Sequence, residues 1–346
     1  MDFPGSVSFT ITNACNLRCR MCGQWSERGY MRERPAAARP PMALADWKRL
    51  VDELAEHGVT GVLLRGGEPF LFPGIVELID HIASQGLFTS IDTNGTMLGQ
   101  CAEDLVRIGR VHVTVSVDGP EAIHDEVRGV PGTFEKVREN VARLREVEKT
   151  RGQAISKSIT FTISPDSVRG LGVLPDVARS LEIETLCIVP YYYVTESLGR
   201  EYERELRDAL GCTAFSWRGF AHETSGVDIE VFQAQHQKFL ASLGALTSFP
   251  YLPLSDEEYA LWFQDPVAPV KRADCPNIER LIDIQPNGDA NFCVDFPDYT
   301  IGNARDSTIA EIWNGERAAR FREYRRRQPL GACHRCGAKY MALIGA

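Results

Sequence analysis

From Ser6 to about Pro190, short apolar runs alternate with longer stretches whose apolar positions recur every three or four residues, the pattern of repeated strand–helix units around a parallel sheet. The runs Val7–Thr12, Gly61–Leu64, Phe88–Asp92, Val111–Val117, Ile159–Ile163 and Thr185–Val189 predict six strands. Between them, Trp47, Leu50, Val51 and Leu54 form one helical stripe, ended by Gly58, and Phe134, Val137, Val141 and Leu144 form another. Each stripe can bury itself on the sheet. Six units are too few to close an eight-stranded barrel, so the expected fold is α/β: a partial (β/α)6 TIM-like barrel over residues 1–190. Its chemistry should lie on loops at the C-terminal ends of the strands.

The alternation breaks over residues 191–270, where helical stretches near Tyr202–Leu210, Ile229–Leu243 and Asp256–Phe263 predict a helical insert or lid. Residues 271–346 predict a small third unit, in which Leu281–Gln285 and Asp289–Cys293 flank Pro286-Asn287-Gly288, a turn of the kind that closes a β-hairpin. There is no internal repeat, and the one short low-complexity tract is a loop at Arg34–Pro41.

A chain of 346 residues exceeds the roughly 250 to 300 at which single cores stop growing, which suits more than one module. A net charge of −9 argues against a nucleic-acid partner, which would need clustered Lys and Arg. The one basic run, Arg317 to Arg327, reads as a solvated helix face. No stretch approaches the roughly 18 apolar residues of a membrane span. Met1 to Ala14 has no basic start followed by an apolar core. The expectation is a cytoplasmic protein without a membrane partner.

Ten cysteines in a compartment that keeps thiols reduced point to metal rather than to disulfides. Seven fall into two groups, Cys15/Cys19/Cys22 and Cys275/Cys293/Cys333/Cys336, while Cys101, Cys187 and Cys212 stand apart and default to buried small hydrophobes. The first group follows the first strand. Three thiolates can hold three irons of a [4Fe–4S] cube and leave the fourth open, whereas zinc normally takes four ligands and no fourth Cys or His lies nearby. Gly66-Gly67-Glu68-Pro69 follows the second strand and Ser116-Val117-Asp118-Gly119 the fourth. Paired glycines let a ligand approach the backbone closely, and carboxylates at strand ends suit an ammonium or a hydroxyl. The second group supplies four thiolates, which fill a tetrahedral zinc site or cap a whole cluster equally well.

The Cys-x₃-Cys-x₂-Cys loop together with Gly66-Gly67-Glu68-Pro69 resembles the radical S-adenosylmethionine (radical SAM) superfamily. The resemblance implies an open iron chelated by S-adenosylmethionine, with Glu68 and the Gly66–Gly67 backbone receiving its ammonium. It makes Ser116 and Arg128 carboxylate contacts and Asp118 a ribose contact, and puts Leu186–Val189, including Ile188, beside the adenine. Met21 stands where the family most often has an aromatic residue, so adenine packing would rest on a thioether. The implied chemistry is reductive cleavage to methionine and a 5′-deoxyadenosyl radical that takes a hydrogen atom from the substrate, with an electron donor such as flavodoxin or ferredoxin. The segment from Cys275 to Cys336, with Ile301-Gly302-Asn303 and Glu311-Ile312-Trp313, resembles the auxiliary-cluster domains called SPASM and twitch. No further cysteine follows Cys336, so the expectation is one auxiliary [4Fe–4S] cluster with no open iron.

Within that family the leading expectation is two-electron oxidation of a small molecule, an amino-sugar or similar, with the auxiliary cluster as electron acceptor. The alternative is a maturase that forms a thioether or carbon–carbon cross-link in a ribosomal peptide, disfavoured because the first strand begins near Ser6 and leaves no leader-binding domain ahead of it. A radical epimerase is a further alternative, with Cys187 as hydrogen donor. Tyr191, Tyr192, Tyr193 and Glu196 follow the sixth strand as candidate substrate contacts, and Asp295 and Asp298 are candidate substrate acids.

Overall fold

A computed structural model describes residues 2–32, 39–250, 252–268, 270 and 274–338. Residues 34–38 of the low-complexity loop lie outside these. The six expected strands form as β1 (Ser6–Thr12), β2 (Gly61–Gly66), β3 (Phe88–Thr93), β4 (Val111–Ser116), β5 (Ser156–Ile163) and β6 (Thr185–Pro190). They pair in parallel in sequence order, with Phe9 opposite Leu64 and Ile91 opposite Val113. The connecting helices are α1 (Leu44–Glu56), α2 (Ile75–Ser84), α3 (Ala102–Ile108), α4 (Glu121–Arg128), α5 (Thr133–Arg151) and α6 (Leu174–Leu181). Trp47, Leu50, Val51 and Leu54 of α1 are all fully buried, and so are Phe9, Ile91, Val113 and Phe161 of the strands. One face of the sheet is therefore sealed by helices. Side chains alternate along each strand, and the other face carries Ser8, Thr10, Arg65, Asp92, Thr114, Ser116, Ser158, Thr160 and Cys187, a polar lining that suits an open barrel interior.

The insert is more than helical. It contains α7 (Glu196–Glu205), continued by a wider turn over Leu206–Leu210, then α8 (Ile229–Ser242) and α9 (Asp256–Gln264), but it also adds β7 (Thr247–Pro250), parallel to β6. Four residues ending in proline are too few to show strand alternation in a sequence. The C-terminal part starts with α10 (Asn277–Arg280), then β8 (Leu281–Ile284) and β9 (Asp289–Asn291) make the expected hairpin, with Gly288 at φ +89° in its turn. The strand β8 also pairs in parallel with β1, Phe9 opposite Ile284, so the third unit continues the barrel sheet. A short β10 (Gly302–Asn303) ends that edge, followed by α11 (Ile309–Asn314) and α12 (Glu316–Arg327). Among the described residues the sheet runs from β10 to β7 through ten strands and does not close, which makes the barrel partial.

The basic run on α12 is only partly solvated. Arg326 and Arg327 pair with Glu279 and Glu323 on the outside, whereas Arg325 is 9% exposed and Arg322 lies 4.1 Å over Trp313. The expected wholly solvated face is thus corrected. A helix closing over a small unit must turn some positions inward, and arginine stems pack well there.

Candidate functional site

Cys15, Cys19 and Cys22 leave β1 on a loop that three neighbours hold. Gly67 and Glu68 donate their N–H groups to the carbonyls of Thr12 and Ala14, each at 2.8 Å. A Cβ on Gly66 would meet the Thr12 oxygen at 2.3 Å and one on Gly67 the Ala14 oxygen at 2.1 Å, so the paired glycines are required by the loop's own approach. From the other side, Arg18 and Arg20 donate to the carbonyls of Arg128 and Val127 at the end of α4. The three thiols line one cleft of about 200 Å³ with Met21, Gly66, Gly67, Ser116 and Arg128, all expected there, and with Arg65, Asp92 and Asn94, which the sequence did not single out. Burial pushes each thiol up, Cys22 to about 11, and the neighbouring thiols add to the shift of Cys15 and Cys22. Arg128 counters this at Cys19, where its Nη1 donates to Sγ at 3.7 Å.

Four residues expected at the cosubstrate, Glu68, Pro69, Asp118 and Ile188, are not among those that line this cleft. Glu68 is fully buried, and its carboxylate accepts from Thr93 Oγ1 at 2.7 Å, Asn94 N at 2.8 Å and Phe70 N at 3.1 Å. Asn94 in turn donates to Asn16 in the cysteine loop at 2.9 Å, so Glu68 ties β2, β3 and that loop together. Asp118 is also fully buried, pairs with Arg128 Nε at 2.6 Å and accepts from Thr162 N at 3.3 Å. Its own N–H donates to His124 Nδ1 at 3.2 Å, and burial lowers the His124 pKa to about 3. Ile188 is buried in β6 and Pro69 in the turn after β2. Neither is among the residues that line the cleft. Cys187 is buried, with its thiol pushed up to about 12 by burial and by Asp92.

Met21 also borders a second cavity of about 300 Å³, walled by Arg20, Arg28, Asp166, Tyr191, His222 and Glu223 among others. Tyr191 thus stands at an opening beside the cysteine cleft, its hydroxyl donating to Ser225 O at 2.5 Å. Tyr193 is fully buried and donates to Trp262 O at 3.0 Å, while Glu196 is exposed on α7 and pairs with Arg200. Asp298 is buried and accepts from the Phe215 and Ser216 N–H groups and from the Tyr202 hydroxyl.

The C-terminal thiols of Cys275, Cys293, Cys333 and Cys336 line a single small cavity of about 50 Å³ with Asn291, Phe292, Phe296, Phe321 and Arg325. Asp295 is exposed close by. Between the two cysteine sets lie aromatic rings packed mostly edge to face. Tyr192, expected from its position after the sixth strand to contact substrate, donates its hydroxyl to the carbonyl of Ala332, beside Cys333. Its ring sits 5.1 Å from Phe220 and 5.0 Å from Phe296. Phe220 reaches Gly23, next to Cys22, so closely that a Cβ there would lie 2.1 Å from the ring.

A model of the radical SAM superfamily matches residues 9–163, and a model of an iron–sulfur cluster-binding domain, SPASM, matches residues 275–337. Residues 9–163 are thus a radical SAM domain and residues 275–337 a SPASM iron–sulfur domain. It is 28% identical to an Fe-coproporphyrin III synthase of Methanosarcina barkeri over 59% of this chain and 50% of that protein. It is 32% identical to the sporulation killing factor maturation protein SkfB of Bacillus subtilis over 41% of this chain and 33% of that one. The chain therefore spans half or less of these curated relatives. In fold it is similar to Streptococcus suis SuiB bound to its precursor peptide SuiA, with a TM-score of 0.67 and 16% identity over 100% of this chain and 74% of that one.

The family brings a [4Fe–4S] cluster that works with S-adenosylmethionine, and the SPASM domain brings auxiliary iron–sulfur. The residues present fit both. Three thiols with no fourth Cys or His line the larger cleft, and four thiols line the smaller cavity. Among the described residues no helix is long and apolar enough to cross a membrane.

Proposed function

We propose that this is a radical SAM enzyme whose product is oxidised by two electrons relative to its substrate, the second electron leaving through the C-terminal iron–sulfur site. The observation that carries the reading is the pair of thiol sets, one in a roomy cleft and one in a small, mostly apolar cavity, joined by packed rings. When bound, the first cluster and S-adenosylmethionine supply a 5′-deoxyadenosyl radical able to take a hydrogen atom from an unreactive carbon. The chain's own part is to place and shield. Cys15, Cys19 and Cys22 would hold the cluster, Ser116 and Arg128 would meet the cosubstrate's carboxylate, and the backbone of Gly66 and Gly67 its ammonium. Met21 would pack against the adenine and divide the cosubstrate from a substrate seated against Arg28, Tyr191 and His222. A low-potential protein such as flavodoxin or ferredoxin would supply electrons.

A peptide segment is the substrate this reading favours. The wide polar opening beside Met21 suits an extended chain, and SkfB is by name a maturation protein. Oxidation of a small or tetrapyrrole substrate would use the same parts, and a relative named as an Fe-coproporphyrin III synthase supports that second reading. The test is to replace Cys333 and Cys336 with Ala in the anaerobically reconstituted enzyme and to measure 5′-deoxyadenosine and oxidised product separately. Deoxyadenosine should persist while oxidised product is lost. Product at the normal rate in a folded variant that lacks the second cluster would make the reaction redox-neutral, an epimerisation for example, with Cys187 as the hydrogen donor to examine next.

A further inference from the structure

Two buried side chains at the four-cysteine cavity each keep one donor atom unmet, and the Arg325 side chain already hydrogen-bonds Cys333. Among the described residues, Arg325 Nε and Asn291 Nδ2 have no hydrogen-bond acceptor, although Arg325 is 9% and Asn291 1% exposed. Such groups are rare because an unmet buried donor costs about 1–3 kcal/mol, so each asks for an acceptor. Their orientations are held by other contacts. The Asn291 side-chain oxygen accepts from the Cys293 N–H at 3.1 Å, which fixes the amide with its nitrogen as the spare donor. Arg325 spends Nη1 on the Gln328 carbonyl at 3.2 Å. Its neighbours on α12 point elsewhere, with Arg326 and Arg327 paired outside and Arg322 stacked on Phe292 and Trp313.

Asn277 apart, the rest of the cavity wall is apolar or aromatic, with Phe292, Phe296, Phe321, Leu330 and Ala332 around the thiols. A cube bound by four thiolates is a net anion and becomes more negative on taking an electron. Burying it there is costly unless charge and N–H donors face it. Net charge, hydrogen bonds to the sulfurs and exposure are also the levers that set such a cluster's potential.

We propose that Arg325 Nε and Asn291 Nδ2 donate to the sulfurs of the cluster held by Cys275, Cys293, Cys333 and Cys336, and that these two side chains raise its reduction potential. Both favour the reduced, more negative state, which is what an electron acceptor needs. They are positioning residues, since neither meets substrate. The inference rests on the cluster reading of this cavity, and the experiment separates the two.

The full-length enzyme is reconstituted anaerobically and titrated with dithionite through mediators, following both clusters by electron paramagnetic resonance. One electron enters each cube and no covalent bond forms or breaks. Arg325→Met should shift the auxiliary midpoint to more negative potential, lowering the reduced-to-oxidised ratio at the wild-type midpoint about tenfold, which is about 59 mV for one electron. Asn291→Leu should shift it the same way by less. The midpoint of the cluster on Cys15, Cys19 and Cys22 should not move in either. Should Arg325→Met fail to keep the cluster, Arg325→Lys and Asn291→Leu carry the measurement. Unchanged auxiliary midpoints in the variants that retain the cluster overturn the assignment. A wild-type enzyme that holds zinc there and shows one iron–sulfur signal overturns the cluster reading instead.

Discussion

The two cysteine sets use one ligand chemistry in opposite surroundings. The first sits on a loop at the mouth of a polar barrel, beside Ser116, Arg128, Arg65 and Asp92, with room for a second molecule. The second lies in a small, mostly apolar cavity whose wall is closed by Phe292, Phe296 and Phe321. Thiolates alone do not decide what a cluster does. An open position in a roomy polar cleft can bind and cleave a cosubstrate, whereas a cluster capped by four thiolates in an aromatic wall is left with electron transfer or structural support.

The sharpest test of that contrast is to replace Cys15, Cys19 and Cys22 together by Ala. Deoxyadenosine formation should vanish, and the iron content should fall by about half from the roughly eight atoms of two cubes. Loss of all iron would mean that the two sites are not independent.

The next effect concerns what holds the open site. Arg128→Leu leaves Asp118 buried without its counter-charge, and breaking a buried pair in this way costs about 3–5 kcal/mol. Urea denaturation should show it, with Cys19 losing its cationic neighbour as well. A cost below about 1 kcal/mol, the scale of an exposed pair, would show that this pair does not brace the loop.

A smaller loss is expected at Glu68, whose three donors are satisfied inside the protein. Glu68→Gln should cost about 1–3 kcal/mol by leaving buried donors short, and should weaken cluster retention on the neighbouring loop. Intact stability and cluster with weakened S-adenosylmethionine binding would return Glu68 to the ammonium role that the sequence suggested.

The smallest effect is on pH. His124 is neutral in the fold because burial holds its pKa near 3, against 6.5 when unfolded. The unfolded chain therefore takes up a proton below pH 6.5 that the folded one refuses. Stability is retained above that value and falls as pH drops toward 3, by at most about 1.4 kcal/mol per unit. Denaturation midpoints at several pH values from 7.5 to 5.5 should show that slope, and His124→Gln should flatten it. An equal slope in both proteins would place the acid sensitivity elsewhere.

Much of the architecture was legible because periodicity and spacing are local. The six barrel strands, the α1 stripe of Trp47, Leu50, Val51 and Leu54, the hairpin turn at Asn287-Gly288 and the two cysteine groups all follow from residues near one another in the chain. The short strand Thr247–Pro250 and the pairing of Leu281–Ile284 with the first strand were not, since such pairings are chosen by what lies beside the segment in space.

The sequence by itself determined the fold class and the grouping of the thiols, because a Cys-x₃-Cys-x₂-Cys loop after a strand and a Gly-Gly turn after the next are set by residues close together in the chain. Only the tertiary structure decided which way the remaining polar groups turn. It set Glu68 and Asp118 inside the scaffold, Tyr192 against the C-terminal cysteines, and Arg325 inward from a helix whose Arg326 and Arg327 face out. A side chain's partners depend on elements that meet from distant parts of the chain, and a buried donor or charge must settle where those elements supply its complement.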